Sequence, residues 1–447
     1  MLPRPIIVVH GNPASNLLDL YLTQPDAVYT LARGGFPLHF PGSTKLYQRV
    51  PFHPDDPTTT LNVTGRAVAP ARIRAISAFY IPYENLVERL KRDIGSEDDP
   101  APVFPFAYDW RFDTSTSAPE LRDYIGEVLR IVSLLPQYKA APPQSVDIVA
   151  HSFGGLVVAR YLRSCQVGTP RSTRVQKVAT IATPFCGAVD AVYTMIKDLD
   201  QREAARTLPS VYGLLPYFAN ATVDVTGPGG APRPIDLISD PTIWNGSSVE
   251  RSLDSYCARM GSSKTGAQRL SELRKSAADQ RADLASLDVA RALGSLDNWL
   301  PIVGIGRQTN VQVQVVSVKQ GTAPDAEFAF IQGNTGDNTG DNTVPFLGAI
   351  PPFDLAAGAA NTPTPPNRLV CITQDDVGPH EASDWAGIGE ELGKVSLHSI
   401  LPMMDAVQQI LISFLRDTAP RFKARAHPAP GVASNAVNWP AAWGVSV

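Results

Sequence analysis

The 447-residue chain has little excess charge, no long apolar run and few cysteines. Lysine and arginine number 39 against 43 aspartate and glutamate residues, so the chain lacks the basic excess that attracts a nucleic-acid backbone. No uninterrupted apolar run reaches the roughly 18 residues that a membrane-spanning helix needs. We therefore expect a soluble protein with no nucleic-acid partner.

The sequence also lacks the spacings of metal and nucleotide sites. Its four cysteines are scattered without a CxxC pair, and no His or Cys pair has the separation of a zinc site. No glycine-rich segment has the register of a phosphate-binding loop. These absences predict a protein with no cofactor and no metal. Because an apolar leader does not precede the first strand-like run, we also expect a cytoplasmic location.

What the chain does contain is an alternation of short apolar, β-branched runs with amphipathic helical patterns. The strand-like runs are 5–11, 103–110, 146–152, 177–184, 311–318 and 368–374. The helical patterns are 83–94, 119–135 and 154–165. Several runs are apolar throughout, as is typical of strands covered on both faces. The order predicts the α/β class, with a mostly parallel central sheet and helices on both faces.

Two regions interrupt this alternation. Residues 36–72 are rich in Pro, Thr and Asp and favour an irregular excursion, whereas 188–300 hold helical patterns without a convincing parallel strand. The second region predicts an inserted, mainly helical cap or lid. The core then comprises 1–187 and 301–418, and the Pro- and Ala-rich segment 419–447 is a C-terminal tail.

The predicted cap contains one thin apolar stripe at helical spacing. Its members are Leu270, Leu273, Ala277, Leu284, Leu287 and Leu293. The other faces of this helix mix both signs of charge, which favours a helix packed on the core with a solvated back. A transient contact between the cap and a membrane surface is the alternative use of the stripe.

The stretch "VDIVAHSFGGLVVARYL" (146–162) places Ser152 between a strong strand and a strong helix. A serine at such a turn is held in a strained backbone conformation, so the residues two before and two after it must be small. Here they are Ala150 and Gly154, one methyl group away from the usual G-x-S-x-G. The context predicts a nucleophile; the alternative is a serine that only caps the helix.

A nucleophilic serine needs a histidine as base and a carboxylate to orient it, and in this kind of fold the chain order is Ser, acid, His. "GDNTGDNTVP" (336–345) supplies the acid, for which we prefer Asp341 over the competing Asp337. Among seven histidines, His398 precedes the last amphipathic helix and is the preferred base. His380 is the alternative.

Acyl chemistry also requires N–H donors for the oxyanion that forms on the attacked carbonyl. The main-chain N–H of Phe153, directly after the serine, is the first donor. The second is expected from "HGNPASN" (10–16), where Pro13 has no N–H to give. Asn12 is therefore the preferred second donor, with Ala14 in reserve.

Four patches together resemble the lecithin:cholesterol acyltransferase family of α/β-hydrolases. They are "HGNPASNLLD" (10–19), "YDWR" (108–111), "AHSFGG" (150–155) and "GDNTVP" (340–345), in the order of that family and ahead of a late histidine. The family includes phospholipases, lipases and acyltransferases that act on lipids. The resemblance implies an α/β-hydrolase fold and places Asp109, Trp110 and Arg111 near the floor of the active site or the hinge of the cap.

These residues predict a serine-dependent carboxylic ester hydrolase, or an acyltransferase, that works through an acyl-enzyme intermediate. A lipid or another hydrophobic ester is the expected substrate, and hydrolysis is the default because excluding water is the harder task. The alternative from another class is a catalytically silent α/β-hydrolase fold that serves as a ligand- or partner-binding module.

Overall fold

The computed structural model describes most of the predicted core and cap. The described residues are 2–19, 26–29, 50–56, 73–77, 81–168, 171–199, 201–226, 231–316, 328–334, 339–352, 369–377 and 396–418. Most of the irregular region predicted at 36–72 and all of the predicted tail at 419–447 lie outside them.

The described strands and helices follow one another in an α/β order. The strands are β1 (Ile6–Val9), β2 (Asn16–Asp19), β3 (Asp26–Tyr29), β4 (Ile73–Ser77), β5 (Val103–Phe106), β6 (Val146–His151), β7 (Val175–Ile181), β8 (Thr222–Asp224), β9 (Arg233–Pro234), β10 (Trp299–Gly304), β11 (Thr309–Val315), β12 (Phe328–Gly333) and β13 (Val370–Ile372). The α-helices are α1 (Ile81–Ile94), α2 (Thr114–Ser133), α3 (Phe153–Ser164), α4 (Val189–Ile196), α5 (Arg202–Ala205), α6 (Pro209–Tyr212), α7 (Ser248–Arg259), α8 (Gly266–Ala285), α9 (Val289–Leu293), α10 (Phe346–Ala349), α11 (Leu397–Ile400) and α12 (Asp405–Arg416).

The central sheet has six strands in the order β13-β10-β7-β6-β1-β5, and every neighbouring pair is parallel. Strands β1, β6 and β10 are buried at every position, because side chains on both faces are covered. Helices α2 and α3 contribute to the apolar cluster on one face, and α1 and α12 to the cluster on the other. The α/β class predicted from the sequence is confirmed.

A second sheet, β12-β11-β8-β9, lies apart from the central one. The run predicted as 311–318 forms β11 in this sheet rather than a strand of the parallel core, so that prediction of its position is wrong. It alternates Val with Asn and Gln, which suits a strand with one covered face. Strand β8 precedes residue 300 in the chain and β11 follows it, and the two strands pair. The second sheet therefore contains strands from both sides of residue 300, the predicted end of the cap. The limits 188–300 stay a prediction.

Strand β10 is a central strand that the sequence analysis missed. It pairs with β7 on one side and β13 on the other, and Pro301 lies opposite Thr180. Proline is rare in central strands because it has no N–H to donate to the hydrogen bonds between strands. The segment that contains Pro301 therefore does not have the sequence pattern of a central strand. A third sheet, β3-β2-β4, is antiparallel and was not predicted either.

The apolar stripe of the predicted cap is a packing surface. All six of its residues are buried; Leu270, Leu273 and Ala277 pack among the apolar residues around α4 and α7. Helix α8 ends at Ala285, so Leu293 belongs to α9 rather than to the same helix. These six side chains are therefore not accessible to a membrane surface. Across the described residues, no helix has the length and hydropathy needed to cross a bilayer.

Gly154 allows the β6–α3 turn to pack against the end of β1. A Cβ added at Gly154 would lie 2.5 Å from the carbonyl oxygen of His10 and 2.7 Å from that of Val9. Both neighbours are main-chain atoms, which cannot rotate away as a side chain does. A hydrogen at this position is therefore what lets the turn with Ser152 approach the loop that follows β1.

We expect Gly154→Ala to lower the free energy of unfolding by about 1–3 kcal/mol, as overpacking against fixed atoms does. Gly126→Ala in α2 is the matched control, because among the described residues no atom other than its chain neighbours and the nearby backbone of its own helix lies within 4 Å of its added Cβ. There the gain in helix propensity should raise the free energy of unfolding by about 0.5–1 kcal/mol. Urea denaturation measures both values, and equal effects of the two substitutions would contradict the packing argument.

Candidate active site

Ser152 lies at the sharp turn between β6 and α3, with φ 52° and ψ −128°. This conformation is costly for a residue with a Cβ and persists only where the surroundings fix it. Here the Ser152 N–H donates to the Ile181 carbonyl at 2.8 Å, and the Gly155 N–H donates to the Ser152 carbonyl at 3.0 Å. The Ser152 side chain makes no hydrogen bond that caps α3, so its hydroxyl is not used as a helix cap.

The structure brings Ser152, His398 and Asp341 into one hydrogen-bonded chain. Oγ of Ser152 lies 2.9 Å from Nε2 of His398, and Nδ1 of His398 lies 2.7 Å from Oδ2 of Asp341. Because an ionised carboxylate only accepts, Nδ1 carries the ring proton and Nε2 accepts from the serine hydroxyl. All three residues are buried. This is the geometry in which an imidazole removes a proton from a serine.

Main-chain groups hold the Asp341 carboxylate in place. Its Oδ1 accepts from the N–H groups of Thr343 at 3.1 Å and Val344 at 2.7 Å, which leaves Oδ2 for His398. The His398 N–H donates to the Asp341 carbonyl at 2.9 Å. The two loops are thus joined by backbone as well as side chain. The alternatives Asp337 and His380 lie outside the described residues.

The predicted oxyanion donors lie on both sides of Ser152. Phe153 is the first residue of α3, where a helix leaves its N–H groups without intrahelical partners. Asn12 lines the same cavity as Ser152, and its main-chain N–H has no acceptor among the described residues. Its side chain donates to Ser210 Oγ at 3.3 Å and to the Trp110 carbonyl at 3.4 Å, which fixes the loop. Asn12 as the second donor stays a prediction, with Ala14, which is buried, in reserve.

His151 has a positioning role that sequence reasoning missed. Its Nε2–H donates to the His398 carbonyl at 3.0 Å, and its Nδ1 accepts from the Tyr83 hydroxyl at 2.5 Å. The same Tyr83 oxygen accepts from the Gly11 N–H at 2.9 Å. The buried His151 ring therefore connects the loop after β1, the turn at Ser152 and the segment that carries His398. The sequence signal was the adjacency of His151 to Ser152, but nothing in it reveals the partners.

This bridge requires a neutral imidazole at position 151, since Nδ1 accepts a hydrogen bond. Burial lowers the pKa of His151 well below its ordinary value, and the nearby His398 lowers it further. His10 is neutral for the same reason, because burial lowers its pKa to about 4. Its Nδ1–H donates to the Gly11 carbonyl at 2.7 Å, which further orders this loop.

Asp109 and Arg111 form a structural ion pair beside the site. Arg111 donates from Nε to Oδ1 at 2.9 Å and from Nη2 to Oδ2 at 2.6 Å, and its guanidinium lies 4.5 Å from the centre of the Phe52 ring. Arg111 is 2% exposed, so its charge is available to no substrate. Trp110 donates to the Ser15 carbonyl at 3.1 Å and lines the cavity.

A cavity of about 300 Å³ opens beside Ser152 and His398. Most of its wall is apolar, and one side is formed by Ala191, Ala204, Ala205, Leu208, Val211 and Leu214. Such a volume is at the lower end for small-molecule sites. Across the described part of the chain, no three His, Cys, Asp or Glu side chains cluster as a metal site requires.

Comparisons with known proteins bear on the family resemblance and on the fold. A model of the lecithin:cholesterol acyltransferase family matches residues 70–222, a range that includes Ser152, and confirms the resemblance seen in the sequence. Among solved structures, the chain is similar to that of the Tle4-Tli4 complex, with a TM-score of 0.52 and 17% identity over 78% of this chain and 89% of that one. The fold is that of the α/β-hydrolases.

A structure of the gene lin2722 products from Listeria innocua has a TM-score of 0.30 and 12% identity, covering 94% of this chain and 95% of that one. A comparison with functionally curated proteins gives no match.

We expect Tyr83→Phe to lower both stability and the reactivity of Ser152. The change leaves the Gly11 N–H and His151 Nδ1 without this partner, which costs about 1–3 kcal/mol in the free energy of unfolding. Loss of the bridge also loosens the loop that carries Asn12. Urea denaturation measures the first effect, and the rate of labelling by a fluorophosphonate measures the second.

Tyr124→Phe is the matched control, because the Tyr124 hydroxyl donates to the Pro105 carbonyl at 2.7 Å and the residue does not line the cavity. It should lower stability and leave the labelling rate unchanged. A labelling rate that is the same in Tyr83→Phe and the wild type would contradict the positioning role.

Proposed function

Because residues 70–222 match the lecithin:cholesterol acyltransferase family, we propose that the chain is a serine-dependent enzyme that cleaves carboxylic esters through an acyl-enzyme intermediate. The family match supports a hydrolase or acyltransferase that acts on lipids. The single observation that carries the serine mechanism is the chain of two hydrogen bonds from Ser152 through His398 to Asp341, beside a largely apolar cavity.

In the first half of the reaction, Ser152 Oγ attacks the ester carbonyl while His398 Nε2 takes its proton. Asp341 stabilises the imidazolium that forms and keeps the ring oriented. The carbonyl oxygen becomes an oxyanion, which accepts from the N–H groups of Phe153 and Asn12. Each such donor contributes about 2.7–4 kcal/mol to stabilising the transition state.

The tetrahedral intermediate then collapses and expels the alcohol, which takes the proton from His398 Nε2. The acyl group remains on Ser152 as an ester. In the second half, His398 takes a proton from a water molecule that attacks this ester. The bond from the acyl carbon to Ser152 Oγ then breaks, Oγ takes the proton from His398 and the acid is released; a second alcohol in place of water gives acyl transfer. Hydrolysis is the proposed outcome, since acyl transfer requires that water be kept out.

The proposed substrate is a hydrophobic ester. The alanine and leucine side chains of the cavity wall offer no hydrogen bonds and favour an acyl chain, which gains about 0.8 kcal/mol for each CH₂ removed from water. A panel of aryl esters of increasing chain length measures how much chain the cavity accepts.

We expect a fluorophosphonate probe to label the wild type and not Ser152→Ala. Hydrolysis of an aryl ester should fall by about 10⁶ in turnover for Ser152→Ala, as it does when a member of a catalytic triad is removed. His398→Ala should nearly abolish labelling, whereas His380→Ala should not. Labelling by active-site probes and initial rates on the aryl ester measure these effects.

The outcome that favours a silent binding module is a folded wild-type protein that neither reacts with the probe nor cleaves any ester of the panel. Loss of labelling in His380→Ala with retention in His398→Ala would overturn the assignment of the base. Circular dichroism of each variant shows that it is folded.

A further inference from the structure

One wall of the cavity carries a carboxyl group that the mechanism above does not use. Asp190 lies in the first turn of α4 and lines the cavity that contains Ser152 and His398. Acidic residues are common in the first helical turn, where they interact with the helix dipole. Asp190 also forms part of the cavity wall, where it borders the space that a substrate would occupy.

A hydrogen bond holds the Asp190 side chain in place. Asn310, near the start of β11, donates from Nδ2 to Asp190 Oδ1 at 2.7 Å. Among the described residues, Oδ2 of Asp190 has no hydrogen-bond partner. The carboxyl group is thus oriented by one oxygen and left with acceptor capacity on the other.

The charge around the cavity determines what this capacity can bind. The described residues that line the cavity include no Lys or Arg. Burial raises the pKa of Asp190 from its ordinary 3.8 to about 6, so the carboxyl is largely ionised at neutral pH. A carboxylate without a neighbouring cation attracts hydrogen-bond donors and repels anions. A phosphate group inside the cavity would meet this repulsion with no Lys or Arg among the described lining residues to offset it.

The chemistry of His398 indicates which half of the ester lies near Asp190. The leaving alcohol takes its proton from His398 Nε2, so it must lie within hydrogen-bond reach of that atom. Asp190 is close enough to His398 and Asp341 for both of them to influence its pKa. Asp190 and His398 line the same cavity, so a leaving alcohol that reaches His398 Nε2 enters the space that Asp190 also lines.

We infer that Asp190, oriented by Asn310, is a specificity-determining residue that binds a hydroxyl group on the alcohol half of an uncharged ester and disfavours an anionic phosphate there. The inference rests on the proposed function. Partial esters of polyols, in which a free hydroxyl lies next to the ester oxygen, are the substrate class that fits. The hydroxyl donates to Oδ2, and the acyl chain occupies the apolar wall.

The test compares three decanoyl esters that share the acyl chain: the ethyl ester, the 2-hydroxyethyl ester and the 2-phosphoethyl ester. For the wild type, we expect kcat/KM to be about tenfold higher for the hydroxyethyl than for the ethyl ester, because a hydrogen bond to a charged group supplies at least this factor. The phosphoethyl ester should be the poorest of the three.

In Asp190→Ala, the ratio of kcat/KM for the hydroxyethyl ester to that for the ethyl ester should fall to about one. Asp190→Asn keeps the size of the side chain and removes the charge. It should raise the relative kcat/KM of the phosphoethyl ester, and it keeps the test valid if Asp190→Ala does not fold.

Glu203→Ala is the control. Glu203 is an exposed acid of α5 that does not line the cavity, so its removal should leave all three ratios unchanged.

The inference is overturned if the wild type cleaves the ethyl and hydroxyethyl esters equally well, or if the preference survives in folded Asp190→Ala and Asp190→Asn. It is also overturned if Asp190→Ala reduces activity on both esters by the same factor, because Asp190 would then act on the fold or the chemistry. A wild type that cleaves some esters but shows no preference leaves the proposed function intact. A wild type that cleaves none contradicts the proposed function itself.

Discussion

The close approach of two main-chain segments, the end of β1 and the turn at Ser152, is the constraint on which the site depends. An added Cβ at Gly11 would lie 2.7 Å from the Ser152 Cβ, and one at Gly154 would lie 2.5 Å from the His10 carbonyl oxygen. Because both residues are glycines, which have a hydrogen in place of a Cβ, the two segments can make this contact. The contact places the loop that carries Asn12 beside the helix start that carries Phe153, the two segments from which we propose the oxyanion donors. The strained φ of Ser152 is the local cost of this approach.

The buried histidines stabilise this arrangement because they are neutral. Burying a charged imidazole costs more free energy than its hydrogen bonds contribute. Burial therefore lowers the pKa of both His10 and His151. Neutral His151 can both donate and accept, so it connects Tyr83 to the His398 carbonyl. Three loops that are far apart in sequence are thereby held in one geometry by groups that take no part in proton transfer.

The sequence predicted the parts of the molecule that have local signatures. The apolar runs of β1, β6 and β7 and the small residues around Ser152 report burial and backbone strain at the residues themselves. Strand β10 was missed because Pro301 is a poor strand former whose position is set by neighbours on both sides. The second sheet was missed because its pairing joins segments about 90 residues apart, as Val223 and Gln314 show. Nothing local encodes such a contact.

The same distinction applies within the site. The residue types of Ser152, Asp341 and His398 limit the candidates, and chain order ranks them, so pattern reasoning could reach all three. Asp190 has no such signature, since an acid in the first turn of a helix is ordinary. Its environment comes from the packing of α4 against α5 and β11 and from the hydrogen bond with Asn310 in the second sheet.

The position of Asp190 also has an electrostatic consequence for catalysis. In the proposed transition state, the oxyanion and Asp341 are negative and the His398 imidazolium is positive, so an ionised Asp190 adds a further negative charge. Burial raises the pKa of Asp190, and the nearby Asp341 raises it further. A substrate hydroxyl that donates to Asp190 offsets part of this repulsion, whereas an alkyl group does not. The discrimination that we infer is therefore a property of charge balance around His398 as well as of one hydrogen bond.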